Sequence, residues 1–189
     1  MRKLLCSAAL TSIMLLPTQL FAADYKIDTE GAHAAINFKV SHLGFSFIQG
    51  RFNTFEGTFS FDPNKMEASK VEVTVDTLSL DSNHAERDKH LKGDRFIDAG
   101  KYSNAKFVST KITPINDKEF TITGDLTLHG TTKQIDIDAD LIGAGKDPWG
   151  GNRAGFQGTT RLELADFGIP VVGASSYVLM DFQIEGVSQ

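Results

Sequence analysis

Five histidines are the side chains most able to support metal or hydrolytic chemistry: His33, His42, His84, His90 and His129. His84 and His90 are six residues apart in a helix-like stretch, which separates them by about 120° around a helix axis. Helical zinc pairs use the i, i+4 spacing instead. Interactions along the helix surface therefore explain this stretch better than metal ligation does. A hydrolase using metal or activated water near His42, His84 or His90 remains an alternative.

Other catalytic patterns receive little support. Ser41, Ser46 and Ser79 lie in strand-like segments without the G-x-S-x-G elbow of serine hydrolases. The sequence has no glycine-rich phosphate-binding run between a strand and a helix. Its single cysteine, Cys6, lies in the N-terminal segment. We therefore predict no catalytic residue, no metal site and no cofactor.

The N-terminus has the pattern of an export signal. Arg2 and Lys3 precede an apolar run over residues 4–16, which ends at Pro17 and is followed by the small-residue site Ala22-Ala23. The run is shorter than the roughly 20 residues needed to span a bilayer. We expect a cleaved signal peptide over residues 1–22, a periplasmic location and one domain over residues 23–189.

Charge narrows the choice of partners. The chain has 19 basic and 24 acidic residues, and removal of Arg2 and Lys3 leaves a net charge of about −7. Nucleic acid and anionic membrane surfaces are poor partners for such a chain. We also expect no stable membrane insertion, because the mature chain has no segment suited to it.

The elements that must position any site are mostly strands. Apolar and polar residues alternate with a period of two, most clearly where Ile135, Ile137 and Ala139 interleave with Asp136 and Asp138. Similar runs occur at residues 36–40, 50–61, 70–80, 104–115, 120–128, 156–164 and 177–187. Short links favour antiparallel neighbours. The sequence predicts an all-β fold, a single eight-stranded antiparallel barrel with one short helix, with a two-sheet β-sandwich as the alternative.

Local signals refine this outline. A change of alternation phase predicts a bulge near Asp76 or Thr77. The helix is expected over about residues 84–92, with Asn83 and Glu86 forming a capping box. Turn residues predict breaks between strands. They occur at residues 62–64, 116–118, 129–130, 143–145 and 147–153.

The interior of the barrel is the functional question. A barrel of eight strands can be filled by its own side chains or can hold one small ligand, and both outcomes stay open. The expected inner face consists of apolar residues in the inward phase: Phe38, Val40, Phe59, Val73, Phe107, Ile122, Leu126, Ile137, Phe156, Leu162 and Phe182. Four further residues are candidates for the entrance and for holding a polar head group: Phe45, Arg87, Trp149 and Arg153.

Several segments, taken in order, resemble the YceI-like family of exported lipid-binding proteins. They are residues 23–28, 42–44, 83–91 (NHAERDKHL), 124–128 (GDLTL) with 130 and 132–133, and 147–156. The resemblance implies an extended, lipocalin-like barrel whose apolar tunnel takes a polyisoprenoid, an isoprenoid quinone or a long-chain fatty acid derivative. It implies no established enzymatic activity. His129 and Gln134 depart from the family pattern near one hairpin, where contacts at the rim could differ.

The resulting hypothesis is a periplasmic, non-catalytic carrier of a long-chain isoprenoid-type lipid, acting as a monomer or a homodimer. Its motive force is the transfer of the lipid chain from water into the barrel. The main competitor is a stress-responsive interaction protein, which would have a filled barrel and an exposed apolar patch.

Overall fold

Antiparallel strands form one continuous sheet in the computed structural model, which describes residues 23–171, 173 and 175–189. The predicted signal peptide, residues 1–22, lies outside the described residues. The strands are β1 (Ala23–Ile27), β2 (Ala35–His42), β3 (Ser46–Phe52), β4 (Phe55–Phe61), β5 (Lys70–Asp76), β6 (Leu80–Asp81), β7 (Asn104–Pro114), β8 (Glu119–Leu128), β9 (Thr131–Lys146), β10 (Asn152–Glu163) and β11 (Tyr177–Ser188). The α-helix is α1 (Ala85–Leu91), and short 3-10 turns occupy Met66–Ala68, Thr77–Ser79 and Leu164–Phe167.

Eight of these strands close a barrel. The hydrogen-bonded order is β1-β4-β5-β7-β8-β9-β10-β11, and β11 returns to β1 where Tyr25 pairs with Ser188. Closure leaves this ring without an unpaired edge. The predicted eight-stranded antiparallel barrel with one short helix is therefore confirmed, and the two-sheet sandwich is not the fold.

The remaining strands extend the sheet outward from β11 in the order β2, β3 and β6. β2 pairs with the N-terminal half of β11, β3 pairs with β2, and β6 pairs with β3. Within the described part of the chain β6 has no pairing with β7, and the connection between them contains α1. We call this the open end; it carries α1 and the β2–β3 and β8–β9 turns. The opposite end, with β1 and the β7–β8 and β9–β10 turns, is the packed end.

Buried and exposed side chains alternate along β9 as the alternation of apolar and polar residues in the sequence predicts. In β9, Ile137 and Ala139 are buried whereas Asp136 and Asp138 are exposed. The carboxylates face water because an unpaired charge inside the barrel would be costly to desolvate.

The start of the helix differs from the expected capping box. α1 is capped by His84, whose Nδ1 accepts a hydrogen bond from the backbone N–H of Arg87 at 3.3 Å. Asn83 has a left-handed φ of 61° and its N–H donates to Asp81 Oδ1 at 2.8 Å. The predicted cap at Asn83 is wrong because this residue forms the turn before the helix, whereas a cap needs extended backbone.

Two other local predictions need correction. The phase change after β5 arises from the 3-10 turn Thr77–Ser79 instead of a bulge, and Asp76 accepts a hydrogen bond from the Leu78 N–H at 2.8 Å. The glycines at 143 and 145 lie inside β9, where Gly143 pairs with Gly155, so no turn forms there. Pairing with β10 outweighs the weak strand propensity of glycine. The actual turn spans residues 147–151, where Asp147 Oδ1 accepts hydrogen bonds from the backbone N–H groups of Trp149 and Gly151.

Candidate ligand cavity

Aromatic rings fill the barrel at the packed end. Phe156 makes edge-to-face contacts with Phe59, Phe61 and Phe120, at ring-centroid distances of 5.4, 5.1 and 5.9 Å. Tyr25 stacks on Phe59 at 4.9 Å. These distances are typical of favourable aromatic packing. The rings close the interior and form the floor of the space above them.

Above this floor the barrel is hollow. A cavity of about 900 Å³ extends from Phe156 to α1. Its volume lies within the range of small-molecule sites in proteins. Aliphatic side chains line most of its wall, including Val40, Val71, Val73, Val75, Ala105, Ile122, Leu126, Ile135, Ile137, Leu162 and Val178. The condition on which the lipid hypothesis depended, a bore that is not packed solid, is met.

Two glycines help the larger rings in this wall to leave the cavity open. A Cβ atom added at Gly50 would collide with the ring of Phe38, and one added at Gly124 would collide with the ring of Phe107. Each ring thus lies close against the backbone of a neighbouring strand. Glycine is the residue that permits this approach.

A polar latch holds the helix that borders the cavity. Ser82 is buried, and its N–H and hydroxyl both contact Asp88 Oδ1, the N–H at 2.8 Å. Arg87 donates from Nε to Ser82 Oγ at 2.7 Å and from Nη2 to the Ser82 carbonyl. Because α1 has no buried residue, these bonds, with packing of half-buried Leu91, position it. Arg87 is thereby placed in the cavity lining.

Cationic groups of α1 and the segment after it border one side of the cavity at the open end, which we call its mouth. Arg87, Lys89 and Arg95 line it together with His90 and one carboxylate, Asp94. The wall below them is almost entirely apolar. This arrangement can hold a hydrocarbon chain in the barrel with a polar or anionic group at the rim.

The structure places most of the predicted site residues in the cavity wall. Eleven of them line it: Phe38, Val40, Val73, Arg87, Phe107, Ile122, Leu126, Ile137, Phe156, Leu162 and Phe182. Their contact with a ligand stays a prediction. The other four do not line the cavity. Phe59 lies within the aromatic cluster at the floor, and Phe45 is 87% exposed in the β2–β3 turn instead of turning inward.

Trp149 and Arg153 lie at the packed end, away from the cavity. Their side chains do meet, with the guanidinium 5.8 Å from the Trp149 ring centroid, but Trp149 is 82% exposed. Arg153 Nη1 donates to Asp28 at 2.7 Å and to Glu185 at 2.5 Å, and Nε donates to Asp147 at 3.0 Å. Arg153 is therefore an ionic tie between β1, β10 and β11, and not part of a clamp at the mouth.

The contacts of this ionic tie shift the pKa values of Asp28 and Arg153. Hydrogen bonds from His33, Arg153 and the Gly31 N–H lower the pKa of Asp28 far below its ordinary value. Hydrogen bonds to Asp28, Glu185 and Asp147 raise the pKa of Arg153. Asp28 and the Arg153 guanidinium thus stay charged throughout the neutral range.

The same cluster provides the one group of three potential metal ligands found among the described residues: Asp28, His33 and Glu185. A guanidinium nitrogen of Arg153 already lies within hydrogen-bonding distance of both carboxylates. The group does not include His42, His84 or His90. His42 and His90 line the cavity, whereas His84 caps α1.

Sequence reasoning missed the contribution of the segment after the helix. Leu91, Phe96 and Ile97 line the cavity along with Lys89 and Arg95. The apolar pair at 96–97, just past the end of the helix, was a usable signal because such a pair needs a surface to cover. No helix among residues 23–171, 173 and 175–189 has both the length and the apolar character to cross a bilayer.

The fold and this site define a small β-barrel protein with an apolar cavity. The model of the YceI-like domain matches residues 25–186, and the chain belongs to the YceI-like family. It is 64% identical to a UPF0312 protein of Vibrio parahaemolyticus across the full length of both chains.

Solved structures agree with this assignment. The Campylobacter jejuni YceI protein superposes with a TM-score of 0.73 at 28% identity, covering 80% of this chain and 91% of that one. A polyisoprenoid binding domain from Saccharophagus degradans gives a TM-score of 0.65 at 15% identity, covering 89% and 100% of the two chains. Family membership and the open cavity together support a binding protein.

Proposed function

We propose that this protein is an exported, non-catalytic carrier of a long-chain isoprenoid-type lipid, namely a polyisoprenoid, an isoprenoid quinone or a fatty acid derivative. The observation that carries the proposal is the cavity of about 900 Å³, which is walled mainly by aliphatic side chains and is bordered at one end by α1 and the segment after it. A space of this kind is suited to hydrocarbon because few polar groups in its wall would lose hydration.

The energetics favour a long chain. Each methylene group transferred from water contributes about 0.8 kcal/mol, so ten of them contribute about 8 kcal/mol before the cost of ordering the lipid. The aromatic floor at Phe156 stops the chain from passing through the barrel. One end of the lipid must consequently stay at the mouth.

The polar end of the lipid meets Arg87, Lys89 and His90 in this proposal. Arg87 is already oriented by its two hydrogen bonds to Ser82, so little side-chain entropy is lost when it contacts a head group. A phosphate, carboxylate or quinone oxygen would accept hydrogen bonds from these side chains.

The lipid class has further support from the printed description of the Saccharophagus degradans domain as polyisoprenoid binding. At 15% identity that likeness concerns the fold, and the choice of ligand here depends on the cavity. Export is supported by the composition of residues 1–22. Intact-mass measurement of the protein purified from cells should show a chain that begins near Ala23.

Mass spectrometry of organic extracts tests the proposal directly. Protein purified from cells, in the form in which it accumulates, should release a long-chain lipid in a near-stoichiometric amount. Leu126→Trp places a large ring in the cavity and should reduce the lipid to below about a tenth of an equivalent.

The matched control is Asp125→Trp, which adds the same ring one residue away on the exposed face of β8. It should carry as much lipid as the wild type. Absence of lipid from the wild type after reconstitution in turn with a polyisoprenoid, an isoprenoid quinone and a long-chain fatty acid, or equal lipid in the two tryptophan variants, would refute the proposal.

A further inference from the structure

Exposed apolar side chains cluster beside the mouth of the cavity. Leu43, Phe45 and Phe47, in and next to the β2–β3 turn, are 56%, 87% and 51% exposed. Leu43 also contributes to the cavity lining. An apolar surface therefore runs from outside the barrel into its interior. Exposed patches of this kind mark surfaces that bind a partner or a membrane.

Cations lie next to this apolar tip. Lys89 and Arg95 border the same mouth and are exposed. Neither forms an ion pair with any carboxylate of the described residues. The segment from α1 to Arg95 also carries Glu86, Asp88 and Asp94, and Asp94 borders the same mouth. Its four basic residues, which include Arg87 and Lys92, exceed these three acidic residues by one.

We propose that the open end docks on an anionic phospholipid bilayer, with Leu43, Phe45 and Phe47 inserted among the head groups and with Lys89 and Arg95 against lipid phosphates. Aromatic and aliphatic side chains flanked by cations are the combination that holds proteins at such an interface. A bilayer fits better than a protein partner because the patch continues into a hydrocarbon-lined cavity. A lipid could enter that cavity without crossing water. This inference depends on the proposed lipid-carrier function and adds the surface from which the lipid is taken or to which it is delivered.

The net negative charge of the chain predicted the opposite, namely that anionic membranes are poor partners. That expectation treats the net negative charge as if it were spread evenly over the protein surface. At physiological ionic strength charges are screened beyond about 8 Å. The row of Asp136, Asp138 and Asp140 along β9 therefore counts for less than the charges at the point of contact.

Vesicle sedimentation tests the docking surface. The purified protein should bind vesicles of phosphatidylcholine containing about one third phosphatidylglycerol, bind pure phosphatidylcholine more weakly, and dissociate as salt is raised. Phe45→Ser should weaken binding to the mixed vesicles about tenfold. Trp149→Ser is the matched control, since it removes a ring of similar exposure at the packed end, and it should bind as the wild type does.

A charge reversal separates the electrostatic part. The double variant Lys89→Glu, Arg95→Glu should lose the preference for phosphatidylglycerol, whereas Lys118→Glu in the β7–β8 turn should keep it. Equal binding by Phe45→Ser and Trp149→Ser, or no binding to mixed vesicles at low salt, overturns the docking proposal and favours a protein partner for the patch.

The lipid content of the same preparations distinguishes the two proposals. Phe45 does not line the cavity, so Phe45→Ser should retain its bound lipid while it loses vesicle binding. Vesicle binding by a wild-type protein that never holds lipid would leave the docking surface standing and remove the carrier function.

Discussion

At the packed end the interior of the barrel is filled by aromatic rings that contact one another, whereas at the open end it is a cavity lined mainly by aliphatic side chains. Phe59, Phe61 and Phe120 are all below a tenth exposed. Val73, Ile122 and Leu126 have the same inward phase but are only half-buried, because they border the cavity. One set of strands thus provides both a stable core and a ligand site.

Hydrogen bonding between the strands also differs between the two ends. The ring of eight strands is continuously hydrogen-bonded at the packed end, and the ionic tie of Arg153 joins β1, β10 and β11 there. At the open end, pairing is interrupted between β6 and β7, and α1 is held by a few polar bonds. The open end nevertheless has a buried cluster of its own, Leu162, Phe167 and Ile169, next to the β8–β9 turn. Packed residues therefore support the wall around the cavity.

The largest expected contrast comes from removing one ring at each end. Phe59→Ala should lower the free energy of unfolding by about 3–5 kcal/mol, because it deletes a ring packed on all sides. Phe182→Ala should cost less than about 2 kcal/mol in lipid-free protein, because one face of this ring borders the cavity and has few contacts to lose. Urea unfolding of both variants measures the difference. Equal costs would show that the open end is as tightly packed as the floor.

A second variant should fill part of the cavity and so make the open end more like the packed end. Gly124→Val should force the ring of Phe107 off the β8 backbone and into the cavity, and should also strain the β7–β8 pairing, because the added Cβ lies 2.6 Å from the Val108 carbonyl oxygen. We expect bound lipid to fall severalfold and stability to fall by about 3 kcal/mol or more. Mass spectrometry and urea unfolding report the two effects.

Gly143→Val is the control for Gly124→Val, because an added Cβ there meets no atom within 4 Å. It should change neither quantity. Normal lipid content in Gly124→Val would mean that the ring of Phe107 has another place to go.

The strand pattern was sufficient to predict the barrel because alternation is a local consequence of strand geometry. It could not predict which half is hollow. Phe59 and Phe182 have equivalent local signals, yet one lies at the floor and the other in the cavity wall. Their heights in the barrel depend on strand register, including the shifts at Ser109/Lys111 and Gly155/Phe156, and register is set by long-range pairing.

The same limit explains the error over Trp149 and Arg153. Nothing in the local sequence of a turn shows at which end of the barrel the turn lies. Treating residues 143–145 as a turn also shortened β9, which in fact continues to Lys146. By contrast, Arg87 lies in the cavity lining, in a helix that a local sequence of nine residues defines, and its contact with a ligand stays a prediction. The place of Lys89 and Arg95 in the cavity lining was missed because it depends on how α1 and the segment after it lie across the open end.

The smallest predicted effect concerns the ionic tie of the packed end and its response to pH. The pKa of folded Asp28 is lowered by hydrogen bonds from His33, Arg153 and Gly31, so its stabilising contribution is complete above the ordinary carboxyl pKa of 3.8. That contribution should decline as the pH falls below this value toward the folded pKa. At about pH 7, Asp28→Asn should have a Tm a few degrees below the wild type, and the gap should narrow toward about pH 3. Thermal unfolding across this range gives the measurement, with Asp138→Asn, an exposed carboxylate of β9, as the control that shows no gap. A gap that persists undiminished in acid would mean that Asp28 stabilises the packed end through its shape and neutral hydrogen bonds, and that the charge of the tie contributes nothing to the difference between the two ends.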